Sequence, residues 1–246
     1  MRRQGRLVRR VLVTGGGTGI GRAIAMAFAD EGFDVTISGR RKEPLQSVAH
    51  GRNICTQVAD VTSEADTERL FETSFDVVIA NAGGGGAGKL TSVSLEAWNQ
   101  TLAVNLTGTF LTFRAAMRDL QPGARLIAIA STASLTGNAA VPAYTAAKHG
   151  VLGLVRSVAL DVAKKGATCN AICPGFVDTD LADTAISGLM SRFEMSREQA
   201  TQKIASSNPQ SRLIDPQEVA AAALYLASPA AVGVNGHALS ISGGEV

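Results

Sequence analysis

Apolar runs of strand length recur along this 246-residue chain, with stretches of helical period between them. The runs cover residues 10–13, 34–37, 53–56, 75–79, 126–129, 168–172 and 238–241. Several are apolar throughout and do not alternate, as strands covered on both faces require. Helical stretches begin near Gly19, Ser63, Ser94, Pro142 and Asp215. The last has a clear start, since Asp215 can cap, Pro216 suits the first turn, and Glu218 follows three residues on. Strand–helix alternation repeated this often predicts an α/β fold: a single-domain, doubly wound (Rossmann-type) parallel sheet with helices on both faces. No linker, repeat or composition break divides residues 1–246.

The first strand runs straight into Thr14-Gly15-Gly16-Gly17-Thr18-Gly19-Ile20-Gly21, and a helix with Ile24 and Phe28 on one face follows. Glycines let a backbone turn tightly and approach a pyrophosphate, and the helix start adds N–H donors and a positive dipole end. This loop is therefore the candidate dinucleotide site. A second glycine stretch, Gly83 to Leu90, nearly spells the phosphate loop GxxxxGK[ST] of nucleoside triphosphatases. Leu90 stands where a hydroxyl should hold magnesium, so a wall of the cofactor cleft is the expected role.

Further residues follow in order. Asp60-Val61 comes after the third strand, Asn81-Ala82-Gly83 after the fourth, and Asn105 within the next helix. Ser131 ends the fifth strand, Tyr144 and Lys148 lie four apart in the helix opened by Pro142, and Pro174-Gly175, Val177 and Thr179 follow the sixth. Together, TGxxxGxG, NAG and YxxxK resemble the short-chain dehydrogenase/reductases, from Val11 to Gly244. The resemblance implies hydride exchange between a nicotinamide cofactor and a ketone or secondary alcohol. It makes Tyr144 the acid or base, Ser131 the group that orients the substrate oxygen, and Lys148 the tuner of the phenol and a ribose ligand. Asn105 would hold a water in a proton relay. Cofactor contacts are expected at Gly15, Gly17, Thr18, Gly19, Ile20, Gly21, Asp60, Val61, Asn81, Ala82, Gly83, Tyr144, Lys148, Pro174, Gly175, Val177 and Thr179.

The Tyr144–Lys148 spacing stacks both side chains on one helix face. A phenol titrates near 10, and a close ammonium is expected to lower that value. Ser134 is a neighbouring hydroxyl that could assist Ser131. His149 is expected to point away, about 100° round the helix from Lys148. No His-Asp-Glu cluster suggests a metal, and no GxSxG suggests a hydrolase.

The second strand ends in Ser38-Gly39-Arg40-Arg41, with Gly39 where an NAD enzyme would carry an acid. Arg40 or Arg41 can meet a 2′-phosphate, so NADP(H) is the expected cofactor, with NAD(H) as the alternative. Residues 179–212 correspond to the family's substrate lid. There Leu181, Ile186, Leu189, Met190, Phe193 and Met195 either line an apolar pocket or pack the lid. Chain length and overall run resemble the 3-oxoacyl-thioester reductase branch. The alternatives are a dehydrogenase of a cyclic or sugar-like alcohol and a non-catalytic, cofactor-sensing protein. Lys164 and Lys165 could attract an acidic carrier or CoA phosphates, or simply suit the helix end. The family's pairing of two long helices leads to an expected homotetramer, with Ala116, Leu120, Leu154, Val158 and Val162 as candidate apolar surface.

Charge adds little. The net value is +2, and five arginines (2, 3, 6, 9 and 10) lie in the first ten residues, leaving the remainder net acidic. That opposes a nucleic-acid face. Residues 1–9 read as a basic tail, with neither a signal peptide nor a membrane span. Cys55, Cys169 and Cys173 lack metal spacing and read as buried small hydrophobes in a reducing cytoplasm.

Overall fold

The computed structural model describes residues 2–3, 6–7 and 9–246. Of the expected basic tail, residues 1, 4, 5 and 8 lie outside these described residues. Within it, Arg2–Arg3 and Arg6–Leu7 pair as a short antiparallel ladder.

Seven parallel strands form the main sheet: β1 (Arg10–Thr14), β2 (Asp34–Gly39), β3 (Ile54–Val58), β4 (Val77–Ala80), β5 (Arg125–Ile129), β6 (Thr168–Pro174) and β7 (Ala238–Ile241). Their order is β3-β2-β1-β4-β5-β6-β7. The order reverses between β1 and β4, and such a switch point opens a crevice at the carboxyl ends of the strands. The central strands β1, β4, β5 and β6 are almost wholly buried, which explains their unbroken apolar runs. Edge strand β3 is exposed after Ile54. Cys55 therefore lies on the surface, contrary to the buried position expected, while Cys169 and Cys173 are buried.

Helices cover both faces. On one side α1 (Gly19–Asp30) and α9 (Pro216–Ala227) pack together around Ile24, Phe28, Val219 and Leu226. On the other, α5 (Gly108–Arg118) and α6 (Pro142–Val162) bury Phe113, Val151 and Val155 against Leu126. The helix leading to α5 is α4 (Leu95–Leu102), and the two join through a π-helical turn, Ala103–Thr107. Helices α2 (Lys42–Ala49) and α3 (Glu64–Leu70) cover the β2–β3 side. The expected cap at Asp215 holds, closing a capping box with Glu218, and Ser63 and Ser94, near which helices were expected to begin, also accept a main-chain N–H each.

The segment 179–212 forms α7 (Asp180–Phe193) and α8 (Arg197–Ala205), joined by their own small core of Ile186, Ala200 and Ile204. No described helix is long and apolar enough to cross a membrane.

Candidate active site

A cleft of about 290 Å³ opens at the carboxyl ends of the strands, beside the switch point. Its floor is the turn from β1 into α1. Gly15 has φ +66°, a left-handed conformation that favours glycine. Gly21 is required for a different reason. A Cβ there would overlap the Gly15 carbonyl oxygen and the Asn81 amide. Asn81 ties the loop after β4 to this turn, its Nδ2 donating to the carbonyls of Thr14 (2.9 Å) and Gly15 (3.2 Å). The Thr14 hydroxyl accepts the main-chain N–H groups of Asn81 and Ala82 at 3.0 and 3.1 Å. The two predicted motifs thus form one hydrogen-bonded unit at a helix N-terminus, a place suited to a pyrophosphate.

Gly39, Arg40 and Arg41 line the far end of the cleft, and both arginines are exposed. Among the described residues, neither arginine is paired with a carboxylate. Asp60 and Val61 form the adjoining wall, and Thr18, Gly19, Ile20, Ala82, Gly83 and Thr179 complete that part. The cleft fits a dinucleotide: a cradle closed to side chains at one end, and two guanidinium groups at the other.

Tyr144 and Lys148 line the opposite end. Lys148 is 3% exposed, and its Nζ donates to the Ile129 carbonyl at 2.8 Å. Nζ lies 5.5 Å from the centre of the Tyr144 ring. Burial pulls the Lys148 ammonium down to about 8. Burial pushes the Tyr144 phenol above its ordinary value near 10, and the Ser131 hydrogen bond opposes this. The expected lowering by Lys148 is not what this arrangement gives. The half-buried phenol loses solvation, and the ammonium is held by Ile129. At neutral pH, Tyr144 is a phenol with a proton to give.

Ser131 caps the short turn Thr132–Ser134. Its Oγ accepts the Ala133 N–H at 3.1 Å. Ser134 is buried, and its Oγ has no protein partner. Asn105 sits in the π-helical turn, fully buried. Its Oδ1 accepts the Gly84 N–H at 3.1 Å, and its Nδ2 donates to the carbonyls of Gly84 (2.6 Å) and Thr101 (2.9 Å). A single-turn π segment at a functional site is a recurring device. Here it holds the glycine wall in place.

That wall, from Gly83 to Gly88, leads into a 3-10 turn at Leu90–Ser92 and not into a helix, which removes the triphosphatase reading. A Cβ at Gly85 would lie 3.1 Å from Tyr144 Cδ2, so the strand of glycines passes close over the phenol. Pro174, Gly175 and Val177 sit next to the cleft but do not line it. Val177 is buried in a bridge to Ile214. Residues missed in the sequence include Val104, Ala130 and Asp180, small or local contributors that carry no motif. Of the lid residues, Leu181 lines the cleft, Ile186, Leu189, Met190 and Met195 pack the lid itself, and Phe193 is exposed. His149 is exposed, its ring nitrogen 2.9 Å from the Thr145 carbonyl. Lys164 and Lys165 follow the far end of α6, roughly 24 Å along its axis from Lys148, away from the cleft.

The chain was compared with known proteins. A family model described as enoyl-(acyl carrier protein) reductase matches residues 15–245. A putative ketoacyl reductase of Streptomyces coelicolor is 34% identical over 95% of both chains. A D-beta-hydroxybutyrate dehydrogenase of Cupriavidus necator is 32% identical over 96% of both. Among solved structures, an actinorhodin polyketide ketoreductase variant with NADPH superposes with a TM-score of 0.91, at 31% identity and 97% coverage of each chain.

Proposed function

The chain belongs to the short-chain dehydrogenase/reductase family, and from that premise we propose an NADPH-preferring ketone reductase acting on 3-oxoacyl thioesters. The observation that carries this reading is the pairing of Tyr144, a phenol kept protonated by burial, with the buried Lys148 in the lining of a cleft whose floor is the glycine turn. The names of the relatives support the substrate class, since 3-oxoacyl-[acyl-carrier-protein] reductase and D-beta-hydroxybutyrate dehydrogenase both place the reacting oxygen on the third carbon of an acyl chain. The same reading makes the enzyme cytoplasmic, a setting that suits its free cysteines.

When bound, the nicotinamide supplies a hydride to the carbonyl carbon. The chain's own residues do the rest. Gly15 to Gly21 would hold the pyrophosphate, and Arg40 with Arg41 the 2′-phosphate. Asp60 and Val61 would border the adenine end, and Lys148 the ribose nearest the chemistry. Ser131 holds the substrate oxygen beside the phenol, and Tyr144 gives that oxygen its proton. Asn105 keeps the glycine wall closed over the phenol and stands beside Lys148 for proton resupply.

A panel of 3-oxoacyl thioesters, 3-oxo acids, cyclic ketones and sugars, followed by NADPH absorbance, tests the reading. Turnover confined to cyclic ketones or sugars would move the substrate class. NADPH binding with no turnover on any of them would leave a cofactor-sensing protein.

Gly39 gives a sharper test of the cofactor. A Cβ there meets only Leu45 Cδ2, at 3.7 Å, so a carboxylate can be accommodated without moving the backbone. Gly39→Asp is expected to cut the preference for NADPH over NADH by about tenfold or more, because a carboxylate beside a phosphate is repulsive. Fluorescence titration of both cofactors reads this; an unchanged ratio would refute the assignment.

The proposal includes a homotetramer, though not through the surface first expected. Ala116, Leu120, Val158 and Val162 are buried in the chain's own core, and Leu154 is partly so. Phe110 on α5 and Leu160 on α6 are exposed instead, Leu160 at 81%. Light scattering should show four copies, and a 25.4 kDa particle at micromolar concentration would count against assembly.

A further inference from the structure

The segment carrying α7 and α8 leaves the body after β6 and rejoins it before α9, and its two roots touch. Val177 and Ile214, both buried in the core that α9 covers, form an isolated parallel bridge. Around it the Ile214 N–H donates to the Phe176 carbonyl at 2.8 Å, and the Asp178 N–H donates to the Ile214 carbonyl at 2.9 Å. Directly beyond the outgoing root, Thr179, Asp180 and Leu181 line the cleft, and a Cβ at Gly19 would lie 3.2 Å from Thr179 Cγ2. The register of the bridge therefore sets how these three residues lie against the glycine turn. The returning root, residues 206–212, is exposed except for Asn208, which is buried. Three polar groups of Asn208 bond to that root. Its carbonyl accepts the Ser211 N–H at 2.7 Å, its Oδ1 accepts the Gln210 N–H at 2.8 Å, and its Nδ2 donates to the Arg212 carbonyl at 2.9 Å. These bonds hold Ser211 at φ +54°, a left-handed conformation that a residue with a Cβ keeps only where its surroundings impose it. The chain end closes on the same amide. A Cβ at Gly243, itself at φ +64°, would overlap Asn208 Oδ1, so the backbone there is pressed against the side chain.

We infer that Asn208 is a positioning residue for the cleft: its amide folds residues 210–212 into the turn that brings Ile214 into register with Val177, and so fixes Thr179 to Leu181 beside the cofactor site. Gly243 is the matching surface, since only a residue without a side chain lets the chain end close over the amide. Without the amide, the Gln210 N–H and the Arg212 carbonyl lose their partners, and Ser211 loses part of what offsets its left-handed conformation. The returning root relaxes and the bridge slips. Ser131 at the end of β5, and Tyr144 and Lys148 on α6, belong to other elements and stay in place. The inference rests on the proposed binding of NADPH in this cleft, and one of its tests needs no cofactor.

Asn208→Ala should raise the NADPH dissociation constant and the substrate KM by about three- to tenfold each, the worth of one ordinary hydrogen bond, with kcat within about twofold. Gly243→Ala strikes the same amide from the chain end and should show the same split. Ser211→Gly supplies a residue that adopts φ +54° freely, so adding it to Asn208→Ala should recover about half or more of the lost affinity on a logarithmic scale. Amide hydrogen exchange without cofactor should quicken in Asn208→Ala at residues 176–181 and 208–214, and stay parental in β1, β4 and β5. Parental NADPH affinity in either single variant, or parental exchange at 176–181 in Asn208→Ala, would overturn the inference. So would exchange raised throughout the sheet, or no recovery on adding Ser211→Gly, since either result points to lost packing. If Asn208→Ala does not fold, Asn208→Asp, which keeps Oδ1 and removes the donor, decides by the same readouts. If the parent binds no NADPH, the proposed function fails, while exchange at 176–181 still decides the role of Asn208.

Discussion

Tyr144→Phe is expected to lower ketone reduction by about 10²- to 10⁴-fold while leaving NADPH affinity within twofold. The ring and its packing survive this change, and only the oxygen is lost. That oxygen carries the sole proton assigned to the reaction, and burial keeps it there at neutral pH. Steady-state turnover beside cofactor titration checks it; near-parental reduction by the variant would remove Tyr144 from the mechanism. The pH dependence follows from the same geometry. Burial holds the phenol above 10, so it stays protonated, and ready as an acid, across the neutral range. Alcohol oxidation needs the phenolate and should rise with pH towards and beyond 10. Lys148 is charged below about 8 and neutral above it, the reverse of a lysine stabilised by a carboxylate. Reduction should therefore decline as pH passes 8, through loss of the ammonium and not of the phenol proton. A reduction rate flat from pH 7 to 10 would show that the Lys148 charge is dispensable.

The second large effect is at the cradle. Gly21→Ala should weaken NADPH binding by about 100-fold or more, since one methyl group displaces backbone and the pyrophosphate site is made of backbone N–H groups. The overlap is with the Gly15 carbonyl and the Asn81 amide, neither of which is the flexible end of a long side chain. Asn81 in turn holds Thr14, so the disturbance reaches the loop after β4 as well. The sheet core lies below this turn and should keep its cooperative melting. Fluorescence titration with a melting curve separates the two; parental affinity in Gly21→Ala would mean that the loop opens without cost.

The strands were legible because a parallel sheet covered on both faces demands continuous apolar runs, and β1, β4, β5 and β6 supply them. The helix starts near Ser63 and Ser94 were legible from the helical period, and that at Asp215 from its cap and Pro216. Helix α2 was not, since Pro44 lies within it and its eight residues bury only Leu45 and Val48. Cys55 was misplaced because alternation does not say which strand is the edge. Four of the five positions expected at a subunit interface, Ala116, Leu120, Val158 and Val162, lie in the chain's own core for a similar reason: an apolar stripe on a long helix reads the same whether it meets its own sheet or another chain. For the site, residue types and order located Ser131, Tyr144 and Lys148. The direction of the phenol's shift depends on its burial and on where the ammonium is held, neither of which YxxxK spacing contains.

The π-helical turn at Ala103–Thr107 makes the count of residues a constraint in its own right. A wide turn accommodates one residue more than a regular α-helix would over the same rise. Removing one of the five would let the turn close into an unbroken α-helical ladder, with α4 and α5 keeping their phase and the bulge that carries Asn105 lost. Asn105 could no longer reach Gly84 and Thr101 together, and Val104 would leave the cleft. Tolerance to deletion along this helix should therefore depend on chain length at this point, even where every remaining side chain is unchanged.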